Sequence, residues 1–190
     1  MKLGILGGTF NPIHLGHLIL AEQAREQFGL DEVWLIPTAT PPHKSSKDLL
    51  PGTQRLALVR LAIRGHPFFR ASDVELKLGG VSYTLRTVRL IRARYPAAKL
   101  FLIVGSDMLQ VHWYGLSELS RLCTFVVAGR PGAATTRRLP RMQRLVMPLV
   151  AISSSMIRAR IRRGQSVRYL VPDAVAREIV RRRLFQTRKA

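Results

Sequence analysis

Residues 7–17, GGTFNPIHLGH, follow the short apolar run 3–6 at the start of the chain. The run predicts a buried strand, and the two glycines after it let the backbone turn sharply and approach a ligand closely. A helix that begins after such a turn presents free backbone N–H groups at the carboxyl end of the strand, where they can bind an anion. The stretch therefore predicts a phosphate site at the first strand–helix junction.

Two histidines of this stretch, His14 and His17, lie three residues apart. They share one face of the first helical turn if the helix begins near Pro12 or Ile13. Imidazoles at the positive end of a helix can donate hydrogen bonds to a polyphosphate whose charge grows in a transition state. The stretch lacks the GxGxxG spacing of dinucleotide-binding oxidoreductases and the GK[ST] ending of a P-loop, which argues against both of those phosphate sites.

Apolar and polar patterns along the rest of the chain predict alternating strands and helices. The predicted strands lie at 33–36, 68–78, 100–104, 124–128 and 145–150, and the predicted helices at 53–64, 84–94, 152–163 and from 172 onward. The first strand–helix–strand unit predicts parallel pairing, and the strand at 100–104 should be central because it is apolar on both faces. We expect one domain over residues 1–190, an α/β, Rossmann-like doubly wound and mainly parallel sheet flanked by helices, with a small C-terminal helical portion.

Polar residues follow two of these predicted strands. Lys44 lies in the Pro-, Ser- and Lys-rich loop 37–52, where it either offers a charge to a phosphate or is a solvated lysine. Gly105 and Asp107 follow the predicted central strand. Asp107 suits a ribose, a magnesium ion carried by phosphates, or the cap of a short helix.

A later helix opens with Ser154, Ser155 and Arg158. These residues either cap the helix or form a second phosphate site. Trp113 and Tyr114 lie in an irregular stretch, where each ring could stack on a heterocycle or cover the core. The single cysteine, Cys123, is flanked by apolar residues and is interpreted as core filling.

The charge of the chain is unusual, with 31 Lys and Arg against 11 acidic residues and a net charge of +20. The excess is concentrated after residue 129, where 16 basic residues stand against 2 acidic ones. It is compatible with a nucleic-acid surface, with attraction of anionic substrates, or with an arginine-rich solvated face. No run approaches the roughly 18 apolar residues of a spanning helix, so we expect a cytoplasmic protein with no membrane partner.

The ordered motifs GGTFNPIHLGH, IPTATPPHK, SYTLRT, FLIVGSDML followed by Trp113, GRP, ISSSMIR and VRYLVP resemble those of bacterial nicotinate-nucleotide adenylyltransferases. This family belongs to the nucleotidyltransferase superfamily with its (G)GTFxPxHxGH signature. Its members transfer AMP from ATP to nicotinate mononucleotide, giving deamido-NAD and pyrophosphate in NAD biosynthesis. The resemblance implies in-line attack without a covalent intermediate, and Mg2+ held mainly by the substrate phosphates rather than by protein ligands.

The resemblance also implies roles for particular positions. The catalytic residues would be His14, His17, Lys44 and Arg158. The residues that bind ATP would be Gly7, Gly8, Thr9, Phe10, His14, His17, Gly105, Asp107, Ser154, Ser155 and Arg158. Those that bind nicotinate mononucleotide would be Thr38, Lys44, Tyr83, Thr84, Trp113 and Tyr114. Two positions depart from the family pattern. Asn11 stands where Asp is usual, and we expect activity to survive; Ala39 stands where Asn is often found, which alters part of the expected pyridine pocket.

Other functions are weighed against this one. An adenylyltransferase for nicotinamide mononucleotide or phosphopantetheine is the nearest alternative, and a basic nucleic-acid-binding protein is a remote one. No aromatic-rich RNA-binding motif supports the latter, so we do not expect a nucleic-acid partner. The sequence is compatible with a homo-oligomer and does not decide the oligomeric state.

Overall fold

The computed structural model describes residues 1–41, 48–109, 111–129 and 139–186, and all statements below refer to these ranges. Its six strands are β1 (Lys2–Gly8), β2 (Glu32–Pro37), β3 (Phe69–Ala71), β4 (Lys99–Gly105), β5 (Thr124–Ala128) and β6 (Met142–Leu145). They form one sheet in the order β3-β2-β1-β4-β5-β6, and every neighbouring pair is parallel. The predicted fold class, a Rossmann-like parallel sheet with helices, is confirmed.

Helices cover both faces of this sheet. They are α1 (Leu15–Phe28), α2 (Gly52–Ala62), α3 (Val74–Leu78), α4 (Thr84–Arg94), α5 (Leu116–Leu122), α6 (Ser154–Arg162) and α7 (Asp173–Arg181), with a short 3-10 helix at Ser106–Leu109. The last two form the predicted C-terminal helical portion. None of the helices within the described ranges combines the length and the apolar character needed to cross a membrane.

The two core clusters follow from the alternation of side chains along the central strands. In β4, Leu100 and Leu102 belong to the cluster under α4 and α5, whereas Ile103 belongs to the cluster under α1, α2, α6 and α7. Successive residues of a strand point to opposite faces, so an uninterrupted apolar run serves both clusters. The central position predicted for this strand is confirmed. Cys123 is buried in the first of these clusters, as predicted.

The predicted strand at 68–78 is wrong in its second half, because only Phe69–Ala71 pairs with β2 and the chain then forms α3. The alternation was misleading because Glu75, a polar position of the pattern, is buried. It accepts a hydrogen bond of 2.8 Å from the Thr87 hydroxyl on α4. A partner on another element, which the local pattern does not reveal, therefore decides which side of this segment faces inward.

The last predicted strand, at 145–150, also lies elsewhere. Pairing with β5 places β6 at Met142–Leu145, where only Leu145 is buried, and leaves Val146 and Leu149 exposed without a strand. The apolar residues of 145–150 suggested a buried strand, but the backbone partner offered by β5 ends at Ala128. Register with the neighbouring strand, rather than apolar content, sets the limits of β6.

Candidate active site

The predicted phosphate loop lies at the point where the sheet order changes direction. β1 is flanked by β2 on one side and β4 on the other, and the glycine-rich turn leaves the carboxyl end of β1. Gly105, the last residue of β4, lies at the same edge of the sheet. In open parallel sheets this edge, at such a switch point, is where ligands bind.

The loop after β1 combines an open glycine with a deeply buried anchor. A Cβ added at Gly7 would meet no atom within 4 Å, whereas one at Gly8 would lie 2.9 Å from the Phe10 ring. Phe10 itself is fully buried and has a positive φ of 47°. The backbone at Gly7 is thus accessible to a ligand, and Phe10 anchors the turn that follows.

The two histidines lie together at the start of α1. The helix begins at Leu15, later than the predicted start near Pro12 or Ile13, and His14 is its N-cap. The backbone N–H of His14 donates to Nδ1 of His17 over 3.3 Å, and the two rings stack with their centroids 3.7 Å apart. The predicted sharing of one face is therefore achieved by a cap residue and a first-turn residue.

Burial keeps His14 neutral. Only 6% of the residue is exposed, and desolvation lowers its pKa to about 4. Its Nδ1 is buried without a hydrogen-bond partner in the described part of the chain. Gly16 makes room for the ring, since a Cβ there would lie 3.1 Å from His14 Nδ1 and 3.2 Å from Cε1. His14 is thus a neutral imidazole that a charged ligand meets without first removing a proton.

The second predicted phosphate site, at the start of α6, adjoins the first. Ser154 Oγ donates to the Pro12 carbonyl over 2.8 Å, and Arg158 Nη1 donates to the Asn11 carbonyl over 3.0 Å. Arg158 Nη2 also reaches Ser155 Oγ at 3.4 Å. Residues more than 140 positions apart are thereby brought into one cluster, in which burial lowers the pKa of Arg158.

Asn11 uses its amide to hold a neighbouring segment. The residue is 5% exposed; Nδ2 donates to the Asp48 carbonyl over 2.8 Å, and Oδ1 accepts from the Leu50 N–H over 3.1 Å. A carboxylate at this position could accept from Leu50 but could not donate to Asp48. The departure from the usual Asp therefore supplies a contact that an Asp side chain would lack.

The exit of β2 lies beside the same loop. The Thr38 N–H donates to the Gly8 carbonyl over 2.9 Å, which continues the pairing of β1 and β2 beyond the strand ends. The Ala39 N–H then donates to Ser82 Oγ over 2.8 Å. These bonds connect the phosphate loop to the segment that precedes α4.

This connection also positions three of the residues predicted to bind the nicotinate nucleotide. Tyr83 is the N-cap of α4 and Thr84 is its first residue. Tyr83 and Tyr114 are exposed, and their ring centroids lie 5.1 Å apart. The structure thus brings Tyr83, Thr84 and Tyr114 to the side of the loop where Thr38 lies, and their contact with a nucleotide stays a prediction.

Trp113 has the contacts of a core residue. It is 8% exposed, its Nε1 donates to the Met108 carbonyl over 2.9 Å, and its ring packs edge-on against Phe125. Of the two roles considered for it, these contacts favour covering the core, and stacking on the nucleotide stays a prediction. Lys44 and the side chain of Asp107 lie outside what the structure describes.

Sequence reasoning missed Arg55, a residue of α2 that donates hydrogen bonds to the backbone of the phosphate loop and of the β2 exit. It stands among the apolar residues of an amphipathic helix, in a chain with many solvated arginines. Nothing in that local pattern distinguishes it. Only the contacts of the folded chain identify it.

This site defines a class of protein, the nucleotide-binding α/β proteins, by its sheet order, its glycine-rich turn and its histidine pair. A family model described as cytidylyltransferase-like matches residues 5–160. A relative from Lactiplantibacillus plantarum is 45% identical over 187 residues, which cover 97% of this chain and 88% of the relative. One from Salinibacter ruber is 44% identical over 181 residues, covering 92% and 93%. Both are named "Probable nicotinate-nucleotide adenylyltransferase".

This chain therefore belongs to the nicotinate-nucleotide adenylyltransferase family. The fold agrees with that of a solved structure, the Plasmodium falciparum nicotinic acid mononucleotide adenylyltransferase complexed with NaAD. The TM-score is 0.81 at 17% identity, and the match covers 97% of each chain. At that identity the likeness concerns the fold alone.

Proposed function

We propose that this protein transfers AMP from ATP to nicotinate mononucleotide, forming deamido-NAD and releasing pyrophosphate in NAD biosynthesis. The observation that supports the proposal is that the start of α6 lies against the segment that precedes α1, so that two helix starts adjoin. Ser154 and Arg158 of α6 bond to the carbonyls of Pro12 and Asn11, directly before the histidine pair of α1. Such a cluster suits a polyphosphate chain, which needs several donors along its length.

The reaction requires alignment rather than a protein nucleophile. An oxygen of the acceptor phosphate attacks the α-phosphorus of ATP in line, and the bond from that phosphorus to the pyrophosphate oxygen breaks. The backbone of Gly7–Phe10 and the rings of His14 and His17 would hold the triphosphate, while Arg158 and Lys44 would neutralise charge on the leaving pyrophosphate. Fixed donors of this kind stabilise a transition state because they are already oriented before charge develops.

The site is suited to a metal ion that arrives with the substrate. Within the described ranges, no group of three or more His, Cys, Asp or Glu side chains could hold a metal ion. The donors beside the loop are imidazoles, hydroxyls and a guanidinium, which can donate hydrogen bonds to phosphate oxygens, whereas Mg2+ prefers carboxylate and phosphate oxygens. We infer that Mg2+ is held mainly by the ATP phosphates, where it would supply further charge neutralisation.

The acceptor is assigned by family membership, supported by the position of Tyr83, Thr84 and Tyr114 beside the loop. Thr38, at the β2 exit, would contact the same nucleotide. A flat pyridine ring can stack on an exposed aromatic side chain, which is a use for Tyr83 and Tyr114. The cytoplasmic location, the single domain and the oligomeric state stay predictions.

The experiment is a pyrophosphate-release assay with ATP and three acceptors: nicotinate mononucleotide, its amide and phosphopantetheine. We expect the highest kcat/KM with nicotinate mononucleotide, by about tenfold or more over the amide, because a substrate that cannot complete the hydrogen bonds of its site leaves buried polar groups unpaired. Mass spectrometry should identify deamido-NAD, and a reaction without acceptor measures background hydrolysis. Preferential turnover of phosphopantetheine, or none with any acceptor, would contradict the proposal.

A further inference from the structure

Among the residues that the structure describes, Arg55 is the largest fully buried side chain, with 1% of the residue exposed. Its guanidinium donates to four backbone carbonyls. Nη1 reaches the Thr9 carbonyl at 2.8 Å; Nη2 reaches those of Thr38 at 2.7 Å and Ala39 at 3.2 Å. Nε reaches the Leu50 carbonyl at 2.9 Å. One side chain thus joins the phosphate loop, the β2 exit and the segment that Asn11 also holds.

Within the described ranges, the charge of Arg55 is solvated by these carbonyls rather than by a carboxylate at contact distance. Burial lowers its pKa, and the more distant Glu75 carboxylate acts in the opposite direction. An arginine nevertheless stays protonated at neutral pH because its reference pKa is so high. Burying such a charge is costly unless most of its donors are satisfied, which is what the four carbonyls accomplish.

The bonds of Arg55 also fix which way the peptide units at the site point. In a planar trans peptide the C=O and the next N–H point in opposite directions. Because the Thr9 carbonyl points to Arg55, the N–H of Phe10 is directed to the other side of the loop. The Thr38 carbonyl is held likewise, and the Ala39 N–H on its far side donates to Ser82 Oγ. The same guanidinium therefore contributes to the orientation of both segments.

We propose that Arg55 is a positioning residue for adenylyl transfer. It sets the spacing between the loop that would hold the ATP phosphates and the β2 exit that would border the acceptor nucleotide, and it adds a buried positive charge behind the phosphate loop. We place it in contact with neither substrate, because only 1% of the residue is exposed. This role rests on the function proposed above, because it concerns the alignment of those two substrates.

Lysine cannot replace arginine here. Its three donors radiate from a single nitrogen, whereas the guanidinium presents five N–H groups from three separate nitrogens in a rigid plane. One ammonium group cannot reach the carbonyls of Thr9, Thr38 and Leu50 together. Arg55→Lys keeps the charge and most of the volume, and therefore tests the positioning itself.

The experiment compares the parent with Arg55→Lys and with Arg60→Lys, a matched exposed arginine of the same helix. We expect Arg55→Lys to lower kcat by about 10- to 100-fold, the scale of a small misplacement of aligned reactants. We also expect it to weaken binding of a non-hydrolysable ATP analogue in calorimetry. Arg60→Lys should match the parent in both measurements. Circular dichroism and thermal melting give the folded fraction to which each rate is normalised.

A second variant guards against a failure of Arg55→Lys to fold. Arg55→Ala leaves a space shaped for a guanidinium ion, so millimolar guanidinium chloride, far below denaturing concentrations, should restore turnover, while equal sodium chloride should not. A role limited to stability would lower the melting temperature and leave kcat of the folded enzyme unchanged. Folded Arg55→Lys with a kcat within about threefold of the parent would overturn the inference. Inactivity of the parent would instead reject the proposed function.

Discussion

Protonation of His14 should destabilise the folded protein at mildly acidic pH. The side chain is buried against Gly16 and His17, and its pKa falls from 6.5 to about 4. Above the unfolded pKa the His14 ring is neutral in both the folded and the unfolded protein, so its titration does not reduce the free energy of unfolding. As the pH falls below 6.5, His14 binds a proton in the unfolded chain but stays neutral in the folded protein. The free energy of unfolding therefore decreases until the pH reaches the folded pKa near 4. The whole difference corresponds to about 3 kcal/mol.

The measurement is urea unfolding of the parent and of His14→Gln across this pH range. Between about pH 7.5 and about pH 5, titration of His14 should remove about 2 kcal/mol from the free energy of unfolding of the parent. The glutamine variant lacks this loss, while titrating groups that do not contact His14 contribute equally to both proteins. The comparison of the two pH dependences therefore isolates His14, whatever the stability of the variant at neutral pH.

A difference between the two pH dependences below about 0.5 kcal/mol would refute the reasoning. It would mean that the ring of His14 reaches water in the folded protein and binds its proton normally. The neutral imidazole assigned to the phosphate site would then be wrong, and a charged His14 would have to be considered instead.

Three further predictions concern the same loop. His17→Ala should lower kcat by about two to three orders of magnitude, as expected for loss of a well-placed donor, and turnover within about threefold of the parent in pyrophosphate release would exclude that role. Gly16→Ala should lower kcat/KM by about tenfold or more, because its Cβ would crowd the ring of His14. A lower melting temperature with unchanged kinetics would contradict this, because it would show that the added Cβ disturbs packing without affecting the site. Asn11→Asp should cost about 1–3 kcal/mol in urea unfolding, because the Asp48 carbonyl loses its donor, and an unchanged midpoint would argue against that contact.

Much of the architecture could be predicted because it depends on local periodicity. The limits of α1 at Phe28 and of α6 before Gly164 follow from glycines in the left-handed conformation, and strands such as β4 and β5 follow from apolar runs. The elements that were predicted wrongly, 68–78 and 145–150, are those whose faces or limits depend on a partner. Thr87 turns Glu75 inward, and β5 sets the limits of β6.

The candidate site also has features that could be predicted from local sequence and features that could not. Residues 7–17 signal a phosphate loop because glycines, a proline and two histidines at fixed spacing carry chemistry that is local to one turn. The sequence predicted a second phosphate site or a helix cap at Ser154, Ser155 and Arg158. It did not predict the hydrogen bonds of Ser154 and Arg158 to the carbonyls of Pro12 and Asn11, which only the structure supplies. Arg55 has no local signal at all.

The sequence alone predicted the kind of ligand that the chain is proposed to bind, because the candidate donors for phosphate lie in short stretches with helix or strand periodicity. Tertiary structure alone decided which distant stretches share the ligand and which buried groups orient them. The physical reason is that a hydrogen-bonding side chain such as Asn11 or Arg55 acquires its role from the carbonyls that folding places around it. Every residue type has a backbone carbonyl, so no pattern of side chains along the sequence can predict which carbonyls folding brings together around one donor.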